Sequence, residues 1–168
     1  MLKAIGSRKN LEFHPFYDAI ADLLMTDEVQ QLRAFRHHIQ TTRLQHSINV
    51  SFYNYQICRF FGWNAVSAAR AGLLHDLFFY NRKEYIRVAG ESFHNARHPK
   101  LACAAADALV PLTRLEKDMI LKHMWPVTPL KLPRYRETMV IVLVDKYCAL
   151  LELTLPLFAR LFRRRAKA

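Results

Sequence analysis

Residues 64–79 read NAVSAARAGLLHDLFF. Asn64 is a good helix N-cap, and the run from Ala65 to about Phe78 has helical rather than alternating periodicity. Its small residues Ala68, Ala69, Ala71 and Gly72 let a neighbouring element come close. Two polar side chains, His75 and Asp76, stand in the predicted last turn, where Leu or Ile is expected. A buried charge is costly unless it is neutralised, hydrogen-bonded or bound to a metal. The stretch therefore poses the fold question and the function question together.

Upstream, Arg43 to Phe61 carries Ile48, Phe52, Tyr55 and Phe60 on overlapping turns and stops at Gly62, which suits a helix C-terminus. Downstream, Pro99 suits the first position of a helix continuing through Leu101 to Leu109, which places His98 at that helix's N-terminus. Thr113 and Glu116 form a capping box that opens a helix running through His123, and Pro126, Pro129 and Pro133 stop it. A last core helix, about Thr138 to Leu153, presents Ile141, Val144, Cys148 and Leu151, with Asp145 set into that stripe. Residues 79–97, rich in charge, read as a loop or lid.

With 168 residues, 52% of them hydrophobic and only four glycines, the expectation is a single all-α domain. Its core spans about 35–155, with an N-terminal helix over 16–32, read as one helix or two, and a basic tail over 156–168. Three cysteines, widely spaced and without a CxxC pair, read as reduced core residues. No signal-peptide pattern or membrane-length apolar run is visible, so the expected compartment is the cytoplasm. Twenty-five basic against 14 acidic residues give a net charge of +11, which calls for an anionic partner. Five of those cations lie in RLFRRRAKA, residues 160–168, which reads as a solvated tail or as one that meets nucleic acid or an anionic membrane.

Separate helices or helix ends thus each deliver potential ligands: His46, the pair His75 and Asp76, His98, His123 and Asp145. Four imidazoles and two carboxylates suit first-row divalent ions such as Fe, Mn, Co, Ni or Zn, and a carboxylate can bridge two of them. Arg43, one turn before His46, and Lys146, beside Asp145, are candidates for binding phosphate or stabilising charge developing on it. Arg82 and Lys83 are weaker ones. His37 and His38 read as supporting or surface groups, and His14 and His94 carry no argument beyond composition.

The order H, then HD, then D, in RLQHSINV, AARAGLLHD and LVDKYCALLE, resembles the HD-domain superfamily of metal-dependent phosphohydrolases over residues 43 to about 152. That resemblance implies a helical bundle in which His46, His75, Asp76 and Asp145 hold one metal. His98 and His123 match the extra ligands of its dinuclear branches, with Asp76 as the bridge and a catalytic group. The chain departs from the better-known branches. It has no GYP motif, Met124 stands where a paired HH would have its second member, and Phe79 stands where a polar or basic residue is usual. What the resemblance implies is a small hydrolase using two divalent ions on a phosphorylated substrate such as a nucleotide. Alternatives are a diiron oxygenase with the same six ligands, or a non-catalytic regulatory or nucleic-acid-binding module with a structural metal.

Overall fold

A computed structural model describes residues 1–36, 41–80 and 94–165, the side chains of 158–165 excepted. His37, His38, Arg82, Lys83 and most of the expected lid lie outside the described residues. The architecture is all-α: eight helices and no strand among the described residues. These are α1 (Pro15–Asp18), α2 (Ala21–Leu24), α3 (Asp27–Gln31), α4 (Arg43–Phe60), α5 (Ala65–Leu74), α6 (His94–Leu109), α7 (Arg114–Lys122) and α8 (Arg136–Arg165). No helix among the described residues is long and apolar enough to cross a membrane.

The segment expected as an N-terminal helix over 16–32 is broken into three short helices and a 3-10 turn, Leu32–Ala34. The break has a local cause. Thr26 leaves the helical region at ψ 148°, and its hydroxyl donates to the Leu23 carbonyl at 2.7 Å, closing α2. Phe16, Ile20, Leu23, Val29 and Leu32 are nonetheless all buried, so the broken chain still covers the core.

At the centre lies the pair α4 and α5. Ser51 Oγ donates to the Ala69 carbonyl at 2.6 Å and Asn54 Nδ2 to that of Ala68 at 3.4 Å, so polar side chains tie the two backbones together. Gly72 permits the approach: a Cβ there would lie 2.7 Å from Ser51 Cα and 2.8 Å from Asn54 Nδ2. Asn64 caps α5 by accepting from Ser67 N, as its sequence suggests. The helix stops at Leu74, short of the expected Phe78, because tighter turns take over: Leu77 N donates to Leu74 O and Phe78 N to Asp76 O. His75 is its C-cap, and Asp76 lies just beyond.

The other helices close round this pair. Gly62, at φ +67°, ends α4 in the left-handed region where glycine carries no Cβ penalty. The Thr113 and Glu116 capping box of α7 is present in both directions. Two expectations are corrected. α6 already begins at His94, so Pro99 lies inside it and His98 in its second turn, while the missing Pro99 N–H falls on the Asn95 carbonyl. α8 continues through Pro156 to Arg165, so most of the expected tail is helix, carried by the helical spacing of its leucines.

Candidate metal centre

All six residues singled out as ligands converge at the end of the α4 and α5 pair. His46 comes from the first turn of α4, His75 and Asp76 from the end of α5, His98 from α6, His123 from the C-cap of α7 and Asp145 from α8. His46, His75, Asp76, His98 and His123 are buried and Asp145 is partly so. His46, His75 and Asp76 bring donor atoms within 4.8 Å of one another, and so do Asp76, His98 and His123. Asp76 belongs to both groups.

Hydrogen bonds fix which ring nitrogen faces inward. The Nδ1 of His75 contacts the Gly72 carbonyl at 2.8 Å, that of His98 the His94 carbonyl at 2.9 Å, and that of His123 the Ile120 carbonyl at 2.8 Å. A carbonyl only accepts, so each Nδ1 carries a proton, and in a neutral ring Nε2 is then the nitrogen with the lone pair. Those Nε2 atoms meet in the interior. His98 Nε2 and His123 Nε2 lie 2.9 Å apart, with Asp76 Oδ1 at 3.4 and 3.9 Å respectively. His75 Nε2 is buried without a hydrogen-bond partner and lies 3.9 Å from Asp76 Oδ2 and 3.8 Å from Asp145 Oδ1.

Such a contact between His98 and His123 repels unless a cation or a proton joins them. A proton is disfavoured, because burial, then the neighbouring His75 and His98 rings, which would share positive charge with it, hold the His123 pKa down at about 3. A metal fits: two imidazole nitrogens about 2.1 Å from one ion at right angles stand about 3.0 Å apart. These buried His and Asp groups could hold a metal ion.

His46 is held differently. Its Nε2 lies 3.0 Å from Asp145 Oδ1, and its Nδ1 lies 3.0 and 3.2 Å from the two oxygens of Glu152. Burial opposes a charge on this ring, yet the two carboxylates outweigh it and raise its pKa to about 10. Asp145 is correspondingly held below the usual carboxylate range: burial alone would raise it, and the hydrogen bond from His46 prevails. Both carboxylate contacts therefore favour the protonated ring. Glu152 is fixed in turn by Asn49, whose Nδ2 donates to Oε1 at 2.8 Å.

Glu152 was missed by sequence reasoning, although its signal was legible: it follows Asp145 by seven residues, two turns on the same helix face. His94 was missed without any such signal. Its ring stacks on His98 with centroids 4.7 Å apart, and its Nδ1 lies 2.9 Å from the Tyr80 hydroxyl.

Arg43 is 1% exposed. One terminal nitrogen donates to the Phe78 carbonyl and the other to that of Tyr80 at 3.0 Å, while the guanidinium lies 3.7 Å over the Phe78 ring. It thereby holds the chain leaving Asp76. Lys146 Nζ donates to the carbonyls of His123 at 3.3 Å and Val142 at 3.1 Å, tying the C-terminal end of α7 to α8. Phe79 is 41% exposed and packs beside Phe35. The wall is formed instead by Phe78, which with Arg36, Arg43, His94 and Met124 lines a cavity of about 160 Å³ over Asp76, His98, His123 and Asp145. No protein-family model, no curated protein and no solved structure matches this chain.

Proposed function

We propose that this chain is an HD-type metal-dependent phosphohydrolase that holds two divalent ions and acts on a small phosphorylated molecule. One observation carries the reading: imidazole Nε2 atoms face inward around a single carboxylate, Asp76, which both groups able to hold a metal include. On this reading His46, His75, Asp76 and Asp145 hold one ion, and Asp76, His98 and His123 the other. When bound, the pair supplies a water acidified toward neutral pH and polarises a phosphoryl oxygen.

The rest of the site prepares the chain for that work. Carbonyl contacts to the Nδ1 atoms hold the ring orientations before any ligand arrives, and Glu152 does the same for His46 while making it a stronger donor. Arg36 and Arg43 at the cavity wall favour an anionic occupant. Because both terminal nitrogens of Arg43 already serve backbone carbonyls, its role is to position the wall and contribute charge. Lys146 likewise acts through the His123 backbone. Phe78 shields one side from water.

The test is elemental analysis of the purified protein, followed by a phosphomonoester and phosphodiester panel with added Mn or Ni. Bound metal and metal-dependent release of phosphate or para-nitrophenol are expected. Full metal occupancy without turnover on any phosphoester overturns the reading, and oxygen-dependent spectral change with bound iron replaces it with the diiron oxygenase.

A further inference from the structure

The helix that supplies Asp145 and Glu152 on its inner face carries a second feature on its outer one. α8 has 30 residues, a rod of about 45 Å at 1.5 Å per residue. Ile141, Val144, Cys148 and Glu152 are buried against the body. On the other side Leu143 is 64% exposed, Tyr147 48%, Leu150 58% and Leu157 50%. Their spacings of four, three and seven residues place them in one stripe along the rod. A helix apolar on both sides is ordinarily covered on both.

Charge selects what covers it. From Leu153 to the last residue the sequence has no acidic side chain, but it has Arg160, Arg163, Arg164, Arg165 and Lys167, interleaved with Phe158, Leu161 and Phe162. The chain as a whole carries +11. Pairing α8 of two copies in parallel would bring those cationic ends together, whereas an anionic lipid surface neutralises them and takes up the leucines beside them. Apolar residues interleaved with arginines at helical spacing are the pattern of a helix lying in a membrane interface. We infer that the outer face of α8 docks this protein in the plane of an anionic lipid surface, through Leu143, Tyr147, Leu150 and Leu157 and the arginines that follow. Docking there leaves the inner face, with Asp145 and Glu152, directed into the metal centre, and it is independent of the reaction proposed above.

Co-sedimentation of the full chain with vesicles tests this. Vesicles of phosphatidylcholine containing roughly a quarter phosphatidylserine should pellet the protein, and pure phosphatidylcholine vesicles should not. The doubly substituted variant Leu150→Glu/Leu157→Glu should bind at least about tenfold more weakly, with an unchanged circular dichroism spectrum, because both positions are exposed. If that variant misfolds, Arg163→Glu/Arg164→Glu should show the same loss. Failure to pellet with anionic vesicles overturns the inference, as does undiminished binding of folded variants. A dimer in light scattering that the leucine variant dissolves would show that a second copy covers the face. Binding to single-stranded RNA with vesicles left free would assign the basic end to nucleic acid; either result also overturns it.

Discussion

Asp76 is the residue on which the site turns, because both ligand groups include it. Asp76→Ala should therefore empty both positions, while His123→Ala should spare the group of His46, His75 and Asp76. Metal-to-protein ratios from elemental analysis read both, and an Asp76→Ala variant that keeps full occupancy refutes the shared site. Glu152 makes a subtler claim. Glu152→Gln keeps an acceptor for His46 Nδ1–H but removes its charge, so metal affinity should fall by about 10–100-fold while the fold persists. Competition with a chromophoric chelator measures this; unchanged affinity would make Glu152 a packing residue. Of the candidate ligands, His75, Asp76 and Asp145 were legible because each puts a polar group into an apolar stretch, a local violation visible in the sequence. The partners that orient them were not. Carbonyls of Gly72, His94 and Ile120 belong to every sequence alike, and His94 reaches His98 only through the turn of a helix whose start was read as loop.

Among the elements, α4 and α5 must be closest for His46 to face His75, and their ring centroids stand 5.4 Å apart. Gly72 sets that closeness. Its missing Cβ would meet Ser51 backbone, which cannot swing aside as the end of a long side chain can. Gly72→Ala should therefore separate the helices and cost about 1–3 kcal/mol or more, read as a lower urea midpoint. Retained stability would mean that α4 shifts freely. Small residues at helical spacing announced this contact in the sequence. The N-terminal helices show the opposite case: their apolar residues are buried as a helix over 16–32 would bury them, but the chain is broken, and one side-chain bond, Thr26 to the Leu23 carbonyl, closes α2 before α3. α8 runs past its expected end at Leu153 and through Pro156, because proline removes only one helical bond when its neighbours carry the pattern on.

For the molecule as a whole, the candidate metal centre is a junction: α4, α5, α6, α7 and α8 each end or pass there with a polar group. Apolar packing and the Ser51 and Asn54 hydrogen bonds hold α4 to α5, but at the junction there remain a His75 nitrogen without a hydrogen-bond partner and the facing Nε2 atoms of His98 and His123. A cation held among them would satisfy these groups, so metal binding should stabilise the folded state. A ligand present at about 100 times its dissociation constant adds about 2.7 kcal/mol when it binds the folded chain only. For a chain of this length each kcal/mol moves the midpoint by about 2–4 °C. Adding Mn, Ni or Zn to protein stripped by a chelator should accordingly raise the melting temperature by roughly 5–11 °C. Ca or Mg, which prefer oxygen ligands, should give a much smaller shift. The Asp76→Ala variant supplies the control, since it keeps the apolar core but should lose the response to metal. An equal rise in that variant would place the binding elsewhere on the chain.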